Sequence, residues 1–186
     1  RLDGTSVVYL ATRQSQHYLR PFTRVGRRLP AHSTSLGKAI LATYTDDEVR
    51  ALLPPELPAL TEHTITDRER LIEELRRVRE RGFAVDREEN TVGLRCFGVA
   101  LPYRAPARDA VSCSVPVARL TSAHEQTIKD ALSEARDRLT LATRRLCARA
   151  TRGAARPGGR TVGFSGPMDI TLRRVRSVIS MGPENT

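Results

Sequence analysis

Apolar side chains recur at helical spacing in four parts of the chain, and each part is predicted to form a helix. One pattern runs from a capping box at residues 66–69 to Gly82, a residue type that commonly ends helices. A second capping box at residues 45–48 starts a shorter helix, and residues 35–43 are predicted as another. Residues 122–147 have the longest pattern and predict a long C-terminal helix.

Five further segments have the β-branched, aromatic or alternating sequences that are typical of strands. They are residues 5–12, 17–23, 83–87, 93–103 and 110–117, with residues 13–16 as a turn between the first two. Helices and strands come in groups and not in βαβ alternation, which argues against a parallel sheet. The predicted fold is α+β, with helices packed against an antiparallel sheet of about five to six strands.

Composition predicts one globular body followed by a basic tail. The chain has 186 residues, 39% of them hydrophobic, which is enough to bury a core, and residues 1–147 are predicted as one domain. From residue 148 the sequence turns to Arg, Gly, Ala and Pro, so residues 148–186 are predicted to be flexible, with a basic amphipathic helix at 169–181 as the alternative. No apolar run approaches the ~20 residues that span a bilayer, and no signal peptide is recognised, so no membrane partner is expected.

Charge and cysteine content exclude several function classes. Of the net charge of +10, residues 147–186 carry half, and most arginines of the body lie beside acids, so direct DNA contact by this chain is not expected. Cys96, Cys113 and Cys147 are odd in number and far apart, which favours reduced thiols in a cytoplasmic protein. Neither the cysteines nor the histidines have metal-ligand spacing, and no cofactor is expected.

The stretch from residue 27 to residue 42, RRLPAHSTSLGKAILA, combines a helix start with candidate anion chemistry. Ser33, Thr34 and Ser35 are residue types that cap helices, where unpaired backbone N–H groups point outward and can hold a carboxylate. An ordinary helix start, with His32 fixing the preceding turn, is the alternative.

Catalytic patterns are weak in this sequence. Ser35 could act as the nucleophile of a small hydrolase, but there is no G-x-S-x-G elbow. A Gly-rich phosphate loop is also missing from the sequence. The carboxylates at Asp86, Glu88 and Glu89 are interpreted as a solvated turn, so no enzyme activity is expected.

Three separated motifs resemble the effector-binding domain of IclR-type transcriptional regulators. They are LPAHSTSLGKAILA, ELRRVRERGFAVDREENTVGLRCFGVALP and AVSCSVPVARL, and the resemblance spans about residues 2–146. It implies a GAF-like α+β domain with a ligand cleft between sheet and helices, and self-association as a dimer or tetramer. It further implies that DNA is bound only through an N-terminal helix-turn-helix domain, outside these residues. The opening LDGTSVVY is similar to members that regulate aromatic-acid catabolism.

The resemblance also implies a site for a small carboxylate effector. The backbone N–H groups of Ser35 and Leu36, just before Gly37, would meet the carboxylate. Polar side chains would line the rest of the pocket, namely Asp86, Cys96, Ser112 and Ser114. Each of these side chains has a structural alternative: a core cysteine, an aspartate paired with arginine, or serines on a solvent-facing strand. The family's Ser-Gly-Pro ending is here Ser-Val-Pro, with Val115 in place of glycine.

Together these features predict a domain that senses an aromatic or short keto acid. The effector would favour one arrangement of an oligomer and so change DNA binding by the parent protein. A hydrolase that uses Ser35, and a dimerisation module with a vestigial pocket, stay open as alternatives.

Overall fold

The computed structural model describes residues 1–16 and 21–154, with side chains to residue 143. These residues form six strands, four α-helices and two short 3₁₀ turns. The strands are β1 (Leu2–Asp3), β2 (Ser6–Val8), β3 (Arg28–Pro30), β4 (Ala84–Arg87), β5 (Leu94–Ala100) and β6 (Ala110–Pro116). The helices are α1 (Ser35–Leu41), α2 (Asp46–Leu52), α3 (Arg68–Arg81) and α4 (Ser122–Ala154). The predicted α+β class is therefore confirmed.

The strands form two antiparallel sheets of three strands each, in the orders β1-β2-β3 and β4-β5-β6. The prediction of a single sheet of about five to six strands is therefore wrong, because the six strands divide into two separate sheets. The three strands predicted at 83–87, 93–103 and 110–117 correspond to β4, β5 and β6, which pair as neighbours.

The partner of β2 also differs from the predicted one. The sequence predicts a partner at residues 17–23, but β2 pairs with β3. Residues 21–23 belong to no strand, and residues 17–20 lie outside the described part of the chain. Pro21 lacks a backbone N–H and cannot donate to a ladder, which counts against a strand at this position.

The helix capping predicted from sequence is largely present. Thr45 and Glu48 form both hydrogen bonds of a capping box at the start of α2. α3 is capped by Asp67, one residue later than the predicted box begins, and it ends at Gly82, whose φ of 80° favours glycine. α4 continues to Ala154, past the predicted end near residue 147, since alanine and arginine are strong helix formers.

The chain divides into two compact units, Arg1–Arg136 and Asp137–Thr186, and the core and the site described below belong to the first. The predicted boundary between residues 147 and 148 stays a prediction. The tail predicted to be flexible begins as helix up to Ala154. Residues 155–186, and with them the alternative helix at 169–181, lie outside the described residues.

Two apolar clusters cover opposite faces of the β4–β6 sheet. One cluster joins α1 and α3 to the first sheet and includes Val7, Ile40 and Leu71, and α1 packs on all three strands β4, β5 and β6. The other cluster lies between the second face of the sheet and the start of α4, where Phe97 packs with Ile128. Burial of this apolar surface is the main stabilising contribution to the fold.

Two glycines allow the start of α1 to approach its neighbours closely. A Cβ at Gly37 would lie 2.1 Å from the carbonyl oxygen of Ala31, in the preceding 3₁₀ turn. A Cβ at Gly98 of β5 would lie 2.7 Å from the carbonyl oxygen of Ser35. Backbone therefore touches backbone at both places, and the N-terminal end of α1 rests directly on β5.

Candidate ligand-binding site

The predicted pocket side chains lie on one face of the β4–β6 sheet. Asp86 is paired with Cys96, and Cys96 with Ser114, so the three residues form a row across the sheet. Directly opposite residues of antiparallel strands project to the same face. Ser112 faces the same side as Ser114 because it is two residues away on the same strand. The structure thus brings all four residues together.

The N-terminal end of α1 lies on this same polar face, over Gly98. Thr34 caps the helix, and its Oγ1 accepts a hydrogen bond from the Gly37 N–H at 3.0 Å. The Gly37 amide is therefore already occupied. Within the described part of the chain, no group accepts a hydrogen bond from the N–H of Ser35 or of Leu36. These are the two amides that the family resemblance implies as carboxylate donors.

Asp86 is a buried acid within a hydrogen-bond network. Its Oδ1 accepts hydrogen bonds from the backbone N–H of Glu89 at 2.8 Å and of Asn90 at 3.3 Å. The register of the sheet places its side chain next to that of Cys96, which lies next to Ser114. Burial, reinforced by the charge of Glu89, raises the pKa of Asp86 to about 6. Burial also raises the pKa of Cys96 to about 12, so this thiol is neutral.

A buried ion pair next to Asp86 was not anticipated from the sequence. Lys38 has no exposed surface, and its Nζ lies 2.5 Å from Oε1 of Glu89 and 3.9 Å from Oε1 of Glu74. Glu74 is also bound by Arg81 at 2.6 Å. The interpretation of residues 86–89 as a solvated turn is therefore wrong, because Asp86 is 3% and Glu89 4% exposed. A signal was present: Lys38 is one of only two lysines and lies in an apolar helix.

Two further residues lie close to α1. Tyr9, which follows β2, packs against the apolar cluster that includes α1. Burial raises the pKa of its phenol to about 12, so it stays a hydrogen-bond donor. His32 lies in the 3₁₀ turn before α1, with Nε2 3.0 Å from the carbonyl oxygen of Pro58. Burial lowers the pKa of His32, so the neutral imidazole anchors this turn. The sequence pattern did not single out Tyr9.

The face offers hydroxyl, thiol, carboxyl and free amide groups, which suit hydrogen bonding to a small polar molecule. In the described residues, the hydroxyl of Ser35 has no hydrogen bond to a histidine or a carboxylate, as a nucleophile–base pair would require. The same part of the chain contains no group of three His, Cys, Asp or Glu residues able to hold a metal. None of its helices is long and apolar enough to cross a membrane.

A separate depression of about 460 Å³ lies between β1 and α2. Its lining includes Leu2, Tyr44, Leu52 and Arg108, and it shares no residue with the polar face. The lining is mostly apolar, with Glu48 and Arg108 as its charged residues, whereas the β4–β6 face groups hydroxyl, thiol, carboxyl and amide groups together. We therefore assign the candidate site by its chemistry to the β4–β6 face.

Asp86→Asn should be more stable than the wild type at pH 7.5. The folded pKa of Asp86 lies near 6, above the ordinary value of 3.8, so ionisation of the buried acid costs folding free energy. The wild type recovers this free energy as the pH falls from about 6 to below 4, where Asp86 is protonated in both the folded and the unfolded state. The difference between the two pKa values corresponds to about 3 kcal/mol. Urea unfolding of both proteins should give a difference that is largest at pH 7.5 and vanishes near pH 4.

Asp46→Asn provides a control of opposite sign. Hydrogen bonds from Arg76 and Arg79 hold the pKa of Asp46 below its ordinary value. This variant should be less stable than the wild type at pH 7.5, with a deficit that shrinks as the pH falls through the ordinary range of aspartate. A stability difference for Asp86→Asn that does not change with pH would contradict the conclusion that burial opposes the ionisation of Asp86.

Known proteins are similar to this chain in sequence and in fold. The family model described as Bacterial transcriptional regulator IclR C-terminal matches residues 1–140. KdgR of Escherichia coli is 44% identical over 99 residues, which are 53% of this chain and 38% of KdgR. The chain thus spans well under two thirds of that relative.

Two solved structures share the fold. The crystal structure of IclR from Thermotoga maritima is 31% identical, with a TM-score of 0.70 over 76% of this chain and 58% of that one. The inducer-binding domain of PobR from Acinetobacter, crystallised as a double mutant with 3-hydroxybenzoic acid, is 26% identical. Its TM-score is 0.58, over 73% of this chain and 83% of that one.

These matches confirm the resemblance carried by the three sequence motifs. The family and the named relatives are transcriptional regulators and not enzymes, which supports the expectation that this chain has no enzyme activity. Val115, which stands where the family pattern has glycine, is 4% exposed and packs in the cluster facing α4. The valine side chain therefore points away from the polar face. From the match over most of its length, the chain belongs to the IclR family of bacterial transcriptional regulators.

Proposed function

We propose that this chain is the effector-sensing domain of an IclR-type regulator and binds a small carboxylate-bearing metabolite, either an aromatic acid or a short keto acid. The observation that carries the proposal is the row Asp86–Cys96–Ser114, over which the N-terminal end of α1 lies with two free amides. Hydroxyl, thiol and amide donors converge there on a single face.

In the proposed complex, the N–H groups of Ser35 and Leu36 donate to the effector carboxylate. The hydroxyls of Ser112 and Ser114 orient its other polar groups, and Cys96 provides a small polarisable surface. Gly37 contributes by letting α1 approach the preceding turn and not as a donor, because its N–H is bonded to Thr34.

A comparison favours the aromatic acid. The related inducer-binding domain of PobR was crystallised with 3-hydroxybenzoic acid. The opening LDGTSVVY, similar to regulators of aromatic-acid catabolism, agrees with this choice.

The proposed output is a change in quaternary arrangement. We infer a GAF-like sensor that forms a dimer or tetramer, in which the effector binds one arrangement more tightly and shifts the population toward it. DNA would be contacted through a helix-turn-helix domain of the parent protein. The free thiols of Cys96 and Cys113 fit a cytoplasmic protein.

Titration calorimetry with benzoate, 3-hydroxybenzoate and pyruvate tests this proposal. At least one acid should bind saturably and raise the Tm. Ser114→Ala should weaken binding by about fivefold, as expected for one lost hydrogen bond. Cys96→Ala should also weaken binding, because it removes the contact with the polarisable sulfur. Cys113→Ala is the matched control, because Cys113 is also half-buried but lies on the opposite face of the sheet, and its Kd should not change.

Two results would count against the proposal. A folded chain that binds none of the acids would overturn it, and a stable oligomer without any ligand response would favour the dimerisation module. Equal losses in Cys96→Ala and Cys113→Ala would mean that binding depends on general stability and not on the polar face.

A further inference from the structure

Two arginines stand directly opposite each other where β4 ends and β5 begins. The register of the sheet pairs Arg87 with Arg95, and these two residues are called the arginine pair below. One step further along the two strands, the N–H of Glu88 donates to the carbonyl oxygen of Leu94 at 3.1 Å. Hydrogen-bonded and non-hydrogen-bonded positions alternate along an antiparallel ladder, so the arginine pair occupies a non-hydrogen-bonded position, where side chains are closer together.

The arginine pair lies on the face of the sheet opposite the polar face. Side chains alternate between the two faces, so Arg95 points away from the side of Cys96 and toward the side of Phe97. Phe97 is fully buried in the apolar cluster that includes the start of α4. The other cross-strand neighbour of Arg95 is Val115, which belongs to the same cluster. The arginine pair therefore borders an apolar surface and is separate from the proposed effector site.

The acids nearest in the sequence do not neutralise the arginine pair. Asp86 accepts hydrogen bonds from two backbone N–H groups, and Glu89 is bound to Lys38. Glu88 accepts a hydrogen bond from the N–H of Gly93 at 2.8 Å. Within the part of the chain that the structure describes, neither guanidinium of the pair forms an ion pair or a hydrogen bond.

Two neighbouring cations without a counter-ion are unfavourable at this position. Like charges directly opposite each other on adjacent strands destabilise a sheet. The Nε of Arg95 is buried without a hydrogen-bond partner, so this guanidinium is partly desolvated, which strengthens its attraction for an anion. The Nη groups of Arg95 keep exposed surface, and the side chain of Arg87 is exposed. An anion can therefore reach both guanidinium groups from solvent.

A phosphate group matches the arginine pair better than a carboxylate does. A single guanidinium already occupies both oxygens of a carboxylate when the contact is bidentate. A phosphomonoester has three acceptor oxygens and a charge of about −1.5 to −2 at pH 7. It can therefore accept hydrogen bonds from two guanidinium groups and balance their combined charge.

We propose that Arg87 and Arg95 bind a phosphate group, either as inorganic phosphate or as part of a small phosphorylated metabolite. The site lies on the α4 side of the sheet, at the outer strand β4. Arg95, which lies between Arg87 and the buried Val115, provides the more fixed of the two contacts. This second site does not depend on effector binding at the polar face, so either proposal can fail alone.

Calorimetric titration of the full chain with inorganic phosphate and with glycerol 3-phosphate, at constant ionic strength, tests the inference. Both probes carry the phosphate group, and the one that binds more tightly identifies the source. Arg95→Gln and Arg87→Gln should each weaken binding by about tenfold, as expected for one charge-assisted contact. Arg95→Lys should recover only part of the affinity, because an ammonium group lacks the planar donors of a guanidinium. Since Arg87 is exposed, Arg87→Gln decides the test even where Arg95→Gln does not fold.

Two controls make the result specific. Arg77→Gln removes the same charge from an exposed position on α3 and should leave both affinities unchanged. Cys96→Ala alters the polar face and should leave them unchanged as well. An equal loss in Arg77→Gln would mean that phosphate follows the net charge of +10, which would overturn the inference.

Two further results would also overturn the phosphate site. One is a wild-type chain that binds neither probe saturably. The other is a change of oligomeric state in Arg95→Gln without phosphate binding to the wild type, which would assign the arginine pair to a contact between protein chains. Neither result concerns the polar face, so the proposed function would still stand.

Discussion

Lys38→Met should destabilise the domain by about 3–5 kcal/mol, the loss typical of breaking a buried ion pair from one side. Lys38 has no exposed surface, and its Nζ lies 2.5 Å from Glu89. Methionine keeps the length and the apolar stem but removes the charge. The carboxylate of Glu89 is then left in the interior, where its Oε2 already has no hydrogen-bond partner. Urea unfolding at pH 7.5 measures the change in the free energy of unfolding.

Two further variants make this result specific. Lys129→Met removes the chain's other lysine, which pairs with Glu125 one turn away and lies 5.0 Å from the ring centroid of Phe83. Loss of this ion pair and cation–π contact should cost about 1–2 kcal/mol. The double variant Lys38→Met, Glu89→Gln should recover part of the loss, because the orphaned carboxylate is then gone. A Lys38→Met protein as stable as the Lys129→Met protein would show that the buried pair does not stabilise this face.

The polar residues of the candidate site could be predicted from the sequence because their placement on one face depends on local strand patterns. Alternation along a strand has a period of two, so Ser112 and Ser114 necessarily share a face once β6 forms. The motifs then indicated that Asp86 and Cys96 belong to the same site, and the register of the sheet brings them side by side.

The first sheet could not be predicted in the same way. β3 contains only three residues, one of them Pro30, and pairs with β2 across a long connection. Local sequence favoured residues 17–23 as the partner, since they are nearer and contain aromatic and apolar residues. Pairing between distant segments is decided by packing, here the burial of Val7, which a local pattern does not contain.

The burial of Lys38 and Glu89 was the other feature that the local sequence pattern could not predict. A carboxylate in a solvated turn and one in a buried ion pair have the same local sequence, and the difference depends on a partner far along the chain. Lys38 and Glu89 are 51 residues apart. The raised pKa of Asp86 depends on the same neighbourhood, so it too becomes visible only once α1 is packed on the sheet.

Gly37→Ala should destabilise the domain by about 3 kcal/mol or more, at the upper end of what overpacking costs. The added methyl group would lie 2.1 Å from the carbonyl oxygen of Ala31 and 2.4 Å from its Cα. Both are backbone atoms, so no side-chain rotation relieves the contact, and α1 must move away from the 3₁₀ turn. Thermal and urea unfolding measure the loss, and binding of 3-hydroxybenzoate reports whether the face is still formed.

Gly82→Ala is the control, because a Cβ there meets no atom within 4 Å, and its cost should be about 1–2 kcal/mol from the positive φ alone. Helix propensity predicts the opposite sign for Gly37→Ala, a gain of about 1 kcal/mol, since alanine is the better helix former. The sign of the measured change therefore decides between the two effects. A stabilised Gly37→Ala protein would mean that α1 does not approach Ala31 closely. The contact of Ser35 with β5, on which the geometry of the candidate site depends, would then be in doubt as well.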